Sequence, residues 1–180
     1  MAEADAAAVQ RLWSARFGGT TATQKKWIKA ALSPSRSATG LVAEAPSADP
    51  VVGFSFLEVG DRAYTTDYLS LDALELPPSL PERIGIFHLS CVHPNWEGQG
   101  IGAAFYERRL ALLAQRDVPR AAGLAWHRPH TADSRVLFER HGFTRLATVE
   151  RYYDRFEDRL NCPDCPEECM CTASLYTRSV

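Results

Sequence analysis

The stretch Leu89-Ser90-Cys91-Val92-His93-Pro94-Asn95-Trp96-Glu97-Gly98-Gln99-Gly100-Ile101-Gly102 constrains this chain more than any other: an apolar run turns through spaced glycines into a helical pattern opened by Ala103. Where a strand hands over to a helix, the N–H groups of the turn and of the first helical residues lack partners, and the helix dipole adds partial positive charge. Such a junction suits an anion, phosphate above all. Gly98, Gly100 and Gly102 carry no Cβ, so the backbone there can adopt positive φ and lie within hydrogen-bonding distance of a diphosphate.

Two nucleotide loops can be set against this spacing. Gly98-Gln99-Gly100-Ile101-Gly102-Ala103 has the letters of the dinucleotide fingerprint, but that motif starts at the strand end and wants an acidic residue about 20 positions on. Here the apolar strand ends at Val92, and the next strand candidate, Ala121 to Trp126, is followed by His127 and Arg128. A P-loop is excluded because no Gly-Lys-Ser/Thr follows.

The segment resembles the acetyl-CoA loop of the GNAT superfamily of N-acetyltransferases, whose pattern is Gln/Arg-x-x-Gly-x-Gly/Ala after a strand and a short His-Pro turn. Glu97, Gly100 and Gly102 take its three fixed positions, a carboxylate standing where the family has Gln or Arg. Downstream, Thr131-Ala132-Asp133-Ser134-Arg135-Val136-Leu137-Phe138-Glu139-Arg140-His141-Gly142-Phe143 resembles the family's Asn-x-x-Ala-x-x-x-Tyr-x-x-x-Gly-Phe pattern, with Phe138 in place of the tyrosine. Thr131 is read as an N-cap and Gly142 as a C′ stop, with Phe143 packing back onto the last turn. The resemblance runs roughly from Leu41 to Val149.

It implies an α/β fold of α+β type, a central mixed and mostly antiparallel sheet flanked by helices, as one domain over residues 1–180. It also implies acetyl-CoA as cosubstrate, held by Cys91, Val92, Glu97, Gly98, Gln99, Gly100, Ile101, Gly102 and Ala103, with Thr131, Ser134 and Phe138 from the second motif. The reaction implied is direct attack of a neutral primary amine, on a small molecule or a peptide, upon the acetyl carbonyl. An amine with a pKa of about 10 is mostly protonated at neutral pH, so a base must take its proton, and the departing thiolate gains from an acid. His88 is one base candidate, because strict alternation puts it on the same strand face as Ile86, Ser90 and Val92. Glu58 on the preceding strand is the other. Since Phe138 has no proton to give, Tyr152 and Tyr153 on the next strand are the candidate acids, the alternative being that none is needed because a CoA thiolate is a tolerable leaving group at neutral pH. His127 and His130 flank the loop before the short helix, where loop polarity explains them equally well. A non-catalytic acetyl-CoA-binding or zinc-stabilised interaction protein is the alternative, and a homodimer is left open.

Cys162, Cys165, Cys169 and Cys171 follow C-x2-C-x3-C-x-C spacing, which can set four thiolates around one ion. A tetrahedral all-thiolate shell suits structural zinc, and iron is the other metal with that geometry. Disulfides are the main rival reading, and redox-active or simply free thiols the other. The start, Met1-Ala2-Glu3-Ala4-Asp5, lacks the pattern of a secretion signal, and a reducing, cytoplasmic compartment argues against disulfides. No run of about 18 apolar residues predicts a membrane span. Twenty basic against 22 acidic residues give a net charge of −2, which offers nucleic acid no attracting field.

Hydrophobic periodicity predicts helices over Ala4 to Phe17, Thr23 to Leu32 and Ala103 to Arg116. Strands are expected over Leu41 to Ala45, Val51 to Val59, Arg83 to Val92, Arg120 to Trp126 and Thr172 to Val180. Asp61 to Glu82, with Pro77, Pro78 and Pro81, reads as a loop near the substrate. The cysteine-rich loop, 162–171, would lead into the last strand. The extra strand that the family places before its first helix has almost no residues here.

Overall fold

Val9, Leu12 and Trp13 fall on one side of a helix, α1 (Ala6–Phe17), and that side is buried. A second helix, α2 (Thr21–Leu32), starts at Thr20, whose hydroxyl accepts from Thr23 N at 3.2 Å. Such a cap satisfies one of the donors that every helix start leaves over. Both helices cover Phe54 and Phe56, with Trp13 stacked on Phe54 at 6.0 Å between centroids. The computed structural model describes residues 1–18, 20–33, 37–46, 50–71, 80–127, 134–155, 165 and 169–180.

The sheet is built from β1 (Ala38–Glu44), β2 (Val51–Gly60), β3 (Ile84–Val92), β4 (Arg120–His127), β5 (Thr144–Val149) and β6 (Thr172–Ser179). Its order is β1-β2-β3-β4-β6-β5, antiparallel throughout except for the β3–β4 pair. This is the mixed, mostly antiparallel sheet expected. Three further helices complete the described α-helices: α3 (Arg62–Tyr68), α4 (Ile101–Ala114) and α5 (Arg135–Arg140). The core of α4 and α5 lies on one face, where Leu57, Phe87, Ala121 and Tyr176 meet Tyr106, Leu113 and Phe138. On the opposite face Ile86, Ala122 and Leu175 pack with Leu69 and Leu71 after α3. None of the described helices is long and apolar enough to cross a membrane.

The expected loop over Asp61 to Glu82 is corrected by α3. Asp61 Oδ1 accepts from Tyr64 N at 2.7 Å, and Thr65 and Leu69, one helical turn apart, are buried. Residues 72–79, with Pro77 and Pro78, lie outside the described residues.

The faces of β3 are corrected as well. Ser55 pairs with Ser90, but Leu57 pairs with Phe87, so Phe56 alone opposes both His88 and Leu89. That extra residue is a β-bulge, and it switches the alternation. Ile86, His88, Leu89 and Cys91 therefore share the face of α1 to α3, whereas Phe87 and Ser90 face α4. The Ser90 and Ser55 hydroxyls meet on that side at 2.6 Å. Ser90 and Val92 do not share a face with His88.

Candidate active site

Two neighbouring parallel strands part company in the middle of the sheet. β3 and β4 pair only at Gly85–Ala121, Ile86–Ala122 and Phe87–Gly123. Among the described residues, β3 continues beyond Phe87 against β2 alone, and β4 continues beyond Gly123 against β6 alone. A wedge opens between them, with main-chain groups of His88 to Val92 along one wall and of Leu124 to His127 along the other.

The glycine turn stands at the mouth of this wedge. His93 Nδ1 accepts from Asn95 N at 3.2 Å and starts a 3₁₀ turn over Pro94–Trp96, and Gln99 Nε2 donates to Asn95 O at 3.3 Å. Gly98 and Gly100 have φ of +75° and +86°, and a Cβ built on either would meet nothing within 4 Å. The first bond of α4 is Ala104 N to Gly100 O, 3.0 Å. The amides of Ile101, Gly102 and Ala103 thus point out of the open end of a 14-residue helix. Gly102 differs from the expectation of positive φ: it is helical, and its missing Cβ accommodates Leu137 Cδ1, 3.1 Å from where a Cβ would stand. Glu97 is paired, its Oε1 lying 2.6 Å from Arg16 Nη2 of α1. Phe17, the next residue, lies against Trp126 on β4, with ring centroids 5.9 Å apart.

Ser134 is the described N-cap residue of α5, while Thr131 lies outside the described residues. Gly142, at φ +73°, ends this helix. Phe143 N reaches Phe138 O and Gly142 N reaches Glu139 O, both at 3.0 Å, the double closure expected of a glycine stop. Phe138 is fully buried, stacked on Tyr176 at 4.9 Å and edge-on to Phe143 at 5.0 Å.

His88 is the first residue of β3 past its last pair with β4. Its Nε2 lies 3.1 Å from Glu58 Oε2 and its Nδ1 2.8 Å from Tyr68 Oη, and Tyr64 donates its hydroxyl to Glu58 Oε2 at 2.6 Å. With Glu58 ionised, Nε2 carries the hydrogen and Nδ1 accepts from Tyr68, a tautomer inferred from the partners. Burial lowers the His88 pKa, outweighing the opposing pull of Glu58, so the imidazole is neutral. For Glu58, burial acts upward, but hydrogen bonds from His88 and Tyr64 and the charge of Lys26 prevail and leave it below the ordinary value. The His88 side chain is 2% exposed and that of Glu58 19%, which makes the carboxylate the end of this chain that a solute can reach. Trp27 of α2 covers the imidazole at 4.1 Å between ring centroids.

Arg109 escapes a reading that looks for polar loops, although its position is visible in the sequence: it falls on the core side of α4 with Phe105, Tyr106 and Leu113. It is 1% exposed, and its guanidinium lies 3.9 Å from the Phe87 ring centroid and 4.6 Å from that of Tyr106. Nη1 donates to Phe56 O at 3.5 Å and His88 O at 3.4 Å, the two carbonyls at the bulge. Burial lowers its pKa to about 10, so it remains charged at neutral pH.

Tyr152 and Tyr153 belong to a 3₁₀ turn, Tyr152–Arg155, rather than to the expected strand, because β5 stops at Val149. Tyr152 is buried and donates its hydroxyl to Leu69 O at 3.2 Å. Tyr153 lies between Trp126 and Tyr152, at 5.6 and 5.0 Å. Desolvation first, then Tyr152, Tyr68 and the nearby cysteines, raise its pKa well above the ordinary value, so it keeps its proton.

The sulfurs of Cys165, Cys169 and Cys171 all lie within 4.8 Å of one another, Cys165 and Cys171 at 3.4 Å. Cys162 lies outside the described residues. Zinc–thiolate bonds of about 2.3 Å in a tetrahedron require sulfurs about 3.8 Å apart, a spacing this cluster brackets. Cys171 N donates to Cys169 Sγ at 3.3 Å, as amides around metal-bound thiolates do. The cluster leads into β6, whose Thr172 pairs with His127 at the mouth of the wedge.

Neither a family model nor a curated protein sequence matches this chain. Solved structures do. NAA60 of Arabidopsis thaliana in complex with acetyl-CoA superposes with a TM-score of 0.71 at 10% identity, covering 100% of this chain and 96% of its own. The mosquito arylalkylamine N-acetyltransferase like 5b gives 0.67 at 15% identity, covering 99% and 96%. A Desulfovibrio desulfuricans protein assigned as an acetyltransferase of the GNAT family gives 0.65 at 14% identity, covering 98% and 93%.

Proposed function

Starting from a chain that has the GNAT N-acetyltransferase fold, we propose that the protein transfers the acetyl group of acetyl-CoA to a primary amine of a small molecule or peptide. One observation carries this reading: the β3–β4 wedge ends at its mouth in a glycine turn whose amides suit a diphosphate, and the fold is shared with a structure holding acetyl-CoA. The amides from Gly98 to Ala103 hold the diphosphate, and the free edge of β3 at Cys91 and Val92 takes the pantetheine arm. The thioester then lies toward the apex, beside His88. Glu58 takes the amine proton, directly or through a water, while His88 and Tyr64 hold the carboxylate in place. The amine nitrogen bonds to the acetyl carbon, the carbon–sulfur bond breaks, and the thiolate takes a proton. Tyr153, whose buried phenol holds its proton tightly, is a weak donor, so the thiolate takes its proton from solvent.

The cysteine cluster has a separate role in this proposal. Four thiolates fill the shell of a zinc ion, so the metal folds the segment before β6 and performs no chemistry. The mutual spacing of the three described sulfurs supports it.

Thiol release from acetyl-CoA, measured with a panel of aryl-alkyl, polyamine and peptide amines, tests the enzyme reading. At least one amine should accelerate release, and Glu58→Gln should reduce kcat about 10²-fold with that amine. Acetyl-CoA binding without acceleration by any amine would instead favour a coenzyme-binding protein.

A further inference from the structure

We infer that Arg16 is a coenzyme-binding residue: from the last turn of α1 it supplies the cationic phosphate contact that the glycine loop itself lacks, and Glu97 holds it in position. The inference rests on the coenzyme reading above. At position 97 the loop presents a carboxylate, immediately before Gly98 and next to the amides assigned to the diphosphate. A lone carboxylate there would repel that group. It is not alone, because Arg16 Nη2 lies 2.6 Å from Glu97 Oε1, across 81 positions of sequence.

The placement of α1 makes this contact more than a chance surface pair. Phe17 fixes the same helical turn against Trp126 on the far wall, so the end of α1 spans the mouth from β4 to the glycine turn. Gly18, at φ +65°, stops the helix there. Exposed ion pairs add little to stability, and this one is 24% exposed on the arginine and 42% on the glutamate. A guanidinium has five N–H donors in a fixed plane, so it can keep one on a carboxylate and turn others to a phosphate oxygen. The same pair brings the loop's net charge to neutral before ligand binds.

Calorimetry with CoA and with pantetheine, which lacks the diphosphate, on the wild type, Arg16→Gln and Glu97→Gln tests the assignment. Arg16→Gln should weaken CoA on the order of tenfold, the usual size of a lost charge-assisted contact, and leave pantetheine unchanged. Glu97→Gln keeps a side-chain oxygen to accept from Arg16 and hold it in place while removing a neighbouring negative charge, so it should tighten CoA by roughly two- to fivefold. If Arg16→Gln binds CoA like the wild type, or if Glu97→Gln weakens CoA as Arg16→Gln does, the pair only shapes the loop and the inference fails. A wild type that takes neither CoA nor pantetheine overturns the coenzyme reading itself, and this inference with it.

Discussion

At the scale of single residues, His88 and Glu58 both tie stability to pH in the same direction but over different windows, and for His88 burial is the cause. The folded protein resists protonating His88, whereas the unfolded chain accepts that proton at about pH 6.5. Acidification through that value therefore favours the unfolded state, and stability rises with pH over the same window. Glu58, with its pKa also lowered, gives a loss of the same sign, but only below the ordinary carboxylate range. Urea midpoints measured from about pH 7.5 to about pH 5.5 should fall for the wild type and fall less for His88→Gln, isolating the imidazole. Equal slopes for the two proteins would mean that His88 titrates as it does in water. Both side chains were legible in the sequence, as alternative candidate bases on neighbouring strands. Their relation was not, because Phe56 opposing both His88 and Leu89 is a property of two strands paired at a distance. Arg109 belongs with them, since it binds the carbonyls that the bulge leaves over.

Among the elements, α4 shows two glycines with different jobs two residues apart. Gly100 has positive φ and open space around it, so Gly100→Ala should cost about 1 kcal/mol in left-handed strain alone. Gly102 is helical, and an alanine there gains about 1 kcal/mol of helix propensity while asking the flexible end of Leu137 to yield. Thermal denaturation should therefore show a lowered Tm for Gly100→Ala and little change for Gly102→Ala; the reverse order would refute the assignment. The strand–turn–helix pattern was readable because its causes are local: glycine spacing, the His93 cap and the apolar run. α3 was obscured by the prolines that follow it, although Asp61 as cap and Thr65 with Leu69 one turn later were signals in plain view. The contact between Arg16 and Glu97 had no local signature at all.

Across the whole molecule, the cysteine cluster is tied to the acceptor side by a chain of contacts. Tyr152 N donates to Cys171 O at 3.1 Å, Tyr152 Oη to Leu69 O at 3.2 Å, and Leu69 caps the helix that carries Tyr64 and Tyr68 to Glu58 and His88. If zinc occupies the thiolates, elemental analysis of the purified protein should find about one ion per chain, released by a thiol-blocking mercurial. Metal removal or Cys165→Ser should then lower Tm by several degrees, since an ion bound only to the folded state stabilises it. A metal-free, fully reduced protein with unchanged Tm would leave the cluster without a structural ion. The Cys spacing predicted the gathering of sulfurs, but its link to the helix after β2 depends on Tyr152, which the sequence placed on a strand.

The short β3–β4 pairing has a mechanical consequence. Among the described residues, three rungs, from Gly85–Ala121 to Phe87–Gly123, are the only ladder joining β1-β2-β3 to β4-β6-β5, so the sheet is two leaves hinged near one end. A linear molecule carrying amide groups, lodged between the leaves, would restore the missing rungs and splint the fold across its weakest line.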